Sequence, residues 1–299
     1  MSPASRALDL QGNLTDQPAL TTVVFTAHNR RDLVLKAIRL ALRQTVPVHI
    51  VVADDASGDG TEAAVRAEFP GVSYLRSEVS RGPCYQRNRG VELATTEIVF
   101  PLDDDSMLVD PGTLEAALMD FASADVGIVC MPFTNVLRDN RISHVDRPGR
   151  SEPLFDFAAC AHGVRRDAYL AVGGYNEDLF YTQEEGDLAL RMYEHGGWRT
   201  INGTSPVLHH MQAKGKVSFI QDYTGARNKI LFYYRYAPAW HVLPRIAGSI
   251  VNEVRGGMRL GRPWAKIKGL RDGIAMVLTG RAKRTPVRPE SFRAYIAQR

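Results

Sequence analysis

Cysteine is scarce in this 299-residue chain: Cys84, Cys130 and Cys160 stand far apart, form no CxxC and cannot all pair. That speaks against a disulfide-built or zinc-ribbon domain and fits a reducing cytoplasm. No apolar run reaches the roughly 18 residues that a membrane-spanning helix requires. Residues 1–18 carry Arg6, Asp9 and Asp16 but no apolar stretch of the kind a secretory signal needs, so residues 1–20 are expected to be a loose leader. Several short motifs are missing as well. There is no GxGxxG after the first strand, no GxxxxGK[ST], no GxSxG and no HExxH. Dinucleotide, P-loop, serine-hydrolase and zinc-protease chemistries are therefore set aside.

What is present is ordinary globular composition, 44% hydrophobic and 23% charged, with the charge unevenly placed. Residues 255–299 hold twelve Lys or Arg against two acids, while the rest of the chain holds 25 basic and 31 acidic groups. A mildly acidic body with a strongly basic end attracts a polyanion at that end, such as lipid headgroups or phosphate. No nucleic-acid module or aromatic-interleaved basic motif accompanies it, so nucleic acid is not expected as a partner.

From Thr21 onward strand and helix patterns alternate. Nearly continuous apolar runs over 21–26, 48–53, 72–75 and 97–102 read as strands buried on both faces. Between them lie helical periods over 29–44, with Asn29 as cap, 61–69 and 83–94, the last opening on Pro83. This β-α-β-α order predicts a right-handed, mostly parallel sheet flanked by helices. The second half is more mixed: a strand pair over 126–133 and 135–145 turning at Asp139-Asn140, a strand over 157–164, and helices from Arg166, over 187–195 and over 217–236. A short strand is expected near 198–201. Beyond Trp240, two basic amphipathic stretches over 242–258 and 264–278 suit either a layer packed on the domain or helices lying on an anionic membrane surface.

Two strands end in carboxylate clusters, Asp54-Asp55 and Asp103-Asp104-Asp105. Ligands of parallel sheets bind at the carboxyl ends of the strands, and crowded ionised acids repel unless a cation or donors compensate. Asp is common in turns after strands, yet three in a row, with a second pair two strands earlier, point to a divalent ion held by oxygen ligands.

The motifs Thr26-Ala27-His28-Asn29-Arg30, Asp54-Asp55-Ala56-Ser57-Gly58-Asp59-Gly60-Thr61, Arg87-Asn88-Arg89-Gly90 and Leu102-Asp103-Asp104-Asp105 resemble, in order and spacing over residues 21–235, the family 2 glycosyltransferases, of a rhamnosyltransferase-like kind. The resemblance implies a GT-A fold over 21–238, a helical extension over 239–299, and inverting sugar transfer from a UDP- or dTDP-linked donor. It places Thr26, His28, Arg30, Arg87 and Asn88 on the donor side, with Asp54 or Asp55 accepting the base imide N–H. In the DxD element, Asp105 would ligate Mg²⁺ or Mn²⁺ with Asp103 as a further metal candidate, and Asp103 or Asp104 would contact ribose or sugar. A metal clamp stabilises the negative charge that develops on a departing diphosphate.

Inversion also needs a general base within hydrogen-bond reach of the acceptor hydroxyl. Tyr181-Thr182-Gln183-Glu184-Glu185-Gly186-Asp187-Leu188 resembles the family's base segment, with Glu where Asp is usual, and offers Glu185 or Glu184. Asp187 pairs with Arg191 at i, i+4 in a supporting role. The resemblance also brings His209 or His210 to the metal, His162 and Gly163 to the acceptor side, and Arg227-Asn228 toward the diphosphate. The implied setting is polysaccharide or glycolipid assembly in the cell envelope, in the cytoplasm or peripheral at the inner face of the membrane, with a saccharide or lipid-linked acceptor. A nucleotidyltransferase would need a Gly-rich basic loop where Thr26-Ala27-His28-Asn29 stands, and a degenerate binding subunit would not keep both acid sets intact.

Overall fold

The computed structural model describes residues 5–137, 142–146, 153–212 and 219–298. The segment expected to be a loose leader forms a hairpin from β1 (Arg6–Leu8) and β2 (Leu14–Pro18). His49 holds it on the sheet by a 3.1 Å contact from Nδ1 to the Arg6 carbonyl.

The apolar runs have no face to give to water, and they occupy the middle of the main sheet. β3 (Thr21–Ala27) and β4 (Val48–Asp54) are buried at every position. Between and after them come α1 (Arg31–Ala41), α2 (Thr61–Glu68), β5 (Ser73–Arg76), α3 (Pro83–Leu93) and β6 (Ile98–Asp103). β6, β3, β4 and β5 lie side by side and all parallel. The order reverses at β3, which has β4 on one side and β6 on the other, so the carboxyl ends of β3 and β6 open a crevice between them. Thr26 stands opposite Asp103 at its mouth.

The second half extends this sheet and adds a smaller one. After β7 (Ser106–Met107) and α4 (Thr113–Met119), β8 (Val126–Cys130) leaves the sheet at Pro132, and the chain restarts as β9 (Phe133–Leu137), paired with β10 (Ile142–Asp146). The expected turn at Asp139-Asn140 lies outside the described residues. The strand expected over 157–164 shortens to β11 (His162–Arg165), because a turn closed by Ala161 N–H on the Ala158 carbonyl at 2.9 Å precedes it. α5 (Arg166–Ala171), α6 (Glu184–Gly196), β12 (Arg199–Asn202) and β13 (Leu208–Gln212) follow. β11 joins the main sheet antiparallel between β6 and β8, with β12 beyond. β13 sits between β9 and β7 in the smaller sheet.

Four helices close the chain onto this core. α7 (Phe219–Tyr236) packs against α8 (Ala239–Arg259) and α9 (Pro263–Leu278). α10 (Pro289–Ile296), which the sequence pattern did not announce, buries Phe292 and Tyr295, and the Tyr295 ring stacks on Phe232 at 4.6 Å.

α3 approaches β3 through Gly90, where an added Cβ would overlap Val24 Cγ1 in the core. Gly90→Ala is therefore expected to destabilise the fold by about 1–3 kcal/mol, outweighing the roughly 1 kcal/mol that Ala gains over Gly in a helix. Urea unfolding measures this; a variant as stable as the parent would refute the tight contact.

Candidate active site

The aspartate triplet caps β6 at the crevice, and each acid has a different environment. Asp103 accepts from Thr26 Oγ1 at 3.3 Å and pairs with the buried Arg87 guanidinium. Asp104 accepts from the His28 backbone N–H at 3.2 Å and from Arg30 Nη1 at 3.0 Å. Burial and the adjacent Asp105 charge push its pKa up to about 7. Asp105 meets the same Arg30 Nη1 at 2.5 Å and lies 3.2 Å from His210 Nε2. Burial works against its ionisation, but His210 and Arg30 prevail and hold it below the usual carboxylate range.

Asp103, Asp105 and His210 form a metal-competent cluster, with one ligand atom from each lying within 4.8 Å of the others. Two carboxylates and an imidazole make a donor set that a divalent transition ion such as Mn²⁺ accepts. β13 supplies the imidazole, and its register places His210 beside Asn135 of β9. His210 Nδ1 lies 2.7 Å from Asn135 Oδ1. Because Asn Oδ1 only accepts, Nδ1 carries a proton. Burial works against a charged imidazole, but the Asp105 carboxylate that faces Nε2 prevails and raises its pKa, and Nε2 would become a ligand once a cation displaced its proton. His209 is absent from the cluster, as strand alternation requires.

The second acid set lies at the start of α6. Glu184 is buried, and its Oε2 has no hydrogen-bond partner among the described residues. Burial, then the Glu185 charge, pushes its pKa well up. Glu185 is half-buried, and burial raises its pKa too. Arg87 links the two acid sets: it pairs with Asp103, and its charge also acts on Glu184 and Glu185.

The turn ahead of α6 is strained. Phe180, Thr182 and Gln183 all have positive φ, at 61°, 69° and 70°, a conformation uncommon for residues with a Cβ. Asn228 holds it from α7. Its buried Nδ2 lies 3.0 Å from the Leu179 carbonyl, 3.0 Å from that of Tyr181 and 2.8 Å from that of Thr182. Arg227 Nη2 donates to the carbonyls of Asp178 and Leu179 at 2.9 and 2.8 Å. This pair, expected near the diphosphate, braces the turn before α6. Asp187 has the supporting role anticipated for it, bound to Arg191 at 2.5 Å and to Tyr236 Oη at 2.6 Å.

Other expected site residues are held by contacts within the fold. Asp54 is wholly buried and accepts from the Ser57 N–H at 2.9 Å and Tyr74 Oη at 2.8 Å. Asp55 receives four donors, from Ser80, Arg81, Gly82 and Gln86, at 2.6 to 3.0 Å. Asp54 is shut away from the crevice by its burial, and the four donors on Asp55 engage both of its oxygens. Asn88 pins the 173–175 turn, its Oδ1 accepting from the Tyr175 N–H at 2.8 Å and from Tyr169 Oη at 2.5 Å. His162 is fully buried with Nε2 3.0 Å from Tyr175 Oη, and burial, then Arg87, drives its pKa down to about 3. At Gly163 an added Cβ would stand 2.7 Å from the Phe100 ring, so strand packing alone requires glycine here. Asn29, expected as a helix cap, instead ties the loop after β3 to the loop after β4, through Ser57 Oγ at 2.9 Å and the Gly58 N–H at 2.8 Å. Thr26, His28, Arg30, Arg87 and the triplet do converge on the crevice.

The model of the family described as glycosyl transferase family 2 matches residues 22–173, half of the chain. The succinoglycan biosynthesis protein ExoO of Rhizobium meliloti is 36% identical over 144 residues, 47% of this chain and 38% of that protein. ExoU of the same organism is 28% identical over 119 residues, 38% of this chain and 34% of that protein. The match thus spans little more than a third of either relative. Among solved structures, the mannosyltransferase PcManGT from Pyrobaculum calidifontis, in complex with GDP-Man and Mn²⁺, shares the fold with TM-score 0.56 and 19% identity, over 94% of this chain and 83% of that one. Staphylococcus aureus TarS 1-349 in complex with UDP shares it with TM-score 0.51 and 15% identity, over 76% and 68%.

Glu184 generates a stability prediction with a definite sign. A carboxyl whose folded pKa is raised above its unfolded value stabilises the fold only below the unfolded pKa, and stability falls as pH rises toward the folded value. Glu184→Gln removes that slope, so its Tm advantage over the parent is expected to grow from pH 4 to pH 8; parallel Tm curves would contradict the burial argument. Asn228→Ala is expected to lower kcat with little change in nucleotide affinity, since it loosens the turn before α6 and leaves the triplet alone. Steady-state kinetics with nucleotide titration separates the two.

Proposed function

The chain belongs to glycosyltransferase family 2, and on that footing we propose that it moves a sugar from a nucleoside diphosphate donor to a hydroxyl of a saccharide, free or lipid-linked, with inversion, in cell-envelope polysaccharide assembly on the cytoplasmic side. The observation that carries this reading is the convergence of Asp103, Asp105 and His210 at the β3–β6 crevice, with Arg87 paired to Asp103 and its charge also acting on Glu184 and Glu185. A divalent cation bound there would offset the charge developing on the departing diphosphate. Mn²⁺ suits the imidazole better than Mg²⁺, which favours oxygen ligands and water, and PcManGT was solved with Mn²⁺.

The chain's own residues supply the rest. Thr26 and Arg87 fix the Asp103 carboxylate from two sides. Arg30, on the exposed lip, reaches two acids and carries positive charge to the place where a pyrophosphate would lie. Glu185, half-buried with a raised pKa, takes the acceptor proton as general base, while Glu184 lies deeper. UDP and dTDP remain the donor nucleotides of first choice from the resemblance. Asp54 is buried and Asp55 already holds four donors, and the solved structures of similar fold carry GDP-Man in one case and UDP in the other.

Thermal shift with UDP, dTDP and GDP, each with and without Mn²⁺, tests donor and metal together. Stabilisation by one nucleotide only when Mn²⁺ is present, lost in Asp105→Asn, is expected; stabilisation by none would remove the reading. Glu185→Gln is expected to keep that binding and to lower kcat by about 10²–10⁴-fold. In the parent, the acid limb of kcat against pH should lie above the ordinary glutamate range, because the base must be ionised to act. Full turnover in Glu185→Gln with loss in Glu184→Gln would move the base to Glu184.

A further inference from the structure

α8 is apolar on two sides. Ile246, Ile250 and Val254 pack inward on Ala226, Ile230 and Leu270. A second stripe, Trp240, Leu243, Val251 and Met258, faces solvent, with Leu243 77% and Trp240 66% exposed. α9 repeats the arrangement: Gly269 and Gly273 press against the α7 backbone, while Trp264 and Leu278 stand 79% and 81% exposed on the other side. Exposed tryptophans are rare on a soluble surface, and two on adjacent helices need an occupant.

The charge on the same side selects that occupant. Arg255, Arg259, Lys268 and Arg271 are exposed among these apolar side chains. Of the acids on these helices, Glu253 is buried between Lys229 and Lys266. Asp272 is bound by Tyr223 and by Arg271, which would exchange this neighbour for a lipid phosphate, while Arg255, Arg259 and Lys268 are exposed. The balance over residues 255–299 is strongly positive, while the remainder of the chain is mildly acidic. Among the described residues no helix is long and apolar enough to cross a membrane. Tryptophan and leucine among arginine and lysine, on helices that lie flat against a folded core, match the boundary layer of an anionic bilayer.

We propose that the outer face of α8 and α9 docks this protein on an anionic lipid surface, with Trp240, Leu243 and Trp264 entering the headgroup boundary and Arg255, Lys268 and Arg271 meeting lipid phosphates. The proposal is independent of the transfer reaction, and its test uses neither nucleotide nor turnover.

Flotation of the full chain with vesicles of phosphatidylcholine, alone or mixed with phosphatidylglycerol, tests it, with tryptophan emission as a second readout. Binding to the mixed vesicles that weakens with salt, at least about tenfold weaker binding to phosphatidylcholine alone, and a blue-shifted emission are expected. Trp240→Ser with Trp264→Ser, and separately Arg255→Glu with Lys268→Glu and Arg271→Glu, should each lower binding about tenfold or more while circular dichroism stays unchanged. Equal partitioning to both vesicle types, or unaltered binding by both variants, would overturn the proposal. So would concentration-dependent dimerisation, lost in the tryptophan variant, without vesicle binding, since the face would then join two copies.

Discussion

One buried guanidinium holds the candidate site together. Carboxylates gathered at the end of a sheet repel one another, and their burial worsens the repulsion unless positive charge or donors lie close by. Arg87 supplies that charge from α3, paired with Asp103 and acting on both Glu184 and Glu185. Its Nε and Nη1 have no hydrogen-bond partner among the described residues, so it is a charge placed for its field more than for a filled set of hydrogen bonds. Arg30 and His210 offset the rest of the triplet from the solvent side and from the smaller sheet. The two acid sets can therefore share the field of one guanidinium.

The helical extension serves this arrangement at a distance. α7 carries Asn228 and Arg227, which hold the strained turn before α6, and α7 is itself gripped by α8, α9 and α10. Gln183, last of the positive-φ residues, donates from Nε2 to Tyr295 Oη at 3.0 Å. The end of the chain thus reaches the turn before α6 directly, and the same layer turns its basic, tryptophan-bearing side outward.

The first half of the fold was legible because its strands are uninterrupted apolar runs and its helices periodic, so β3 through β6 fall within a residue or two of their expected places. The triplet and the paired glutamates were legible as chemistry because crowded acids need a reason. Roles inside the motifs were less so. Asp54, Asp55, Asn29 and Asn88 look like ligand-binding polar residues in a string of letters, yet each is engaged by loops that only the folded chain brings near. Asn135 had no sequence signal at all, since its place beside His210 depends on the register between β9 and β13. Arg227-Asn228 drew notice as a motif, but which carbonyls it faces is set by how α7 packs. The tail was readable as basic and amphipathic, whereas the burial of Phe292 and Tyr295 in α10 was not.

The central claim is that Asp103, Asp105 and His210 hold one divalent cation together. Pulsed electron paramagnetic resonance of Mn²⁺ bound to the protein tests it most directly, because a ligating imidazole nitrogen imprints its own modulation on the manganese signal. One histidine nitrogen coupled to the ion, and lost in His210→Gln, is the expected result. Tightly bound Mn²⁺ with no nitrogen coupling, or coupling that survives that substitution, would contradict the account.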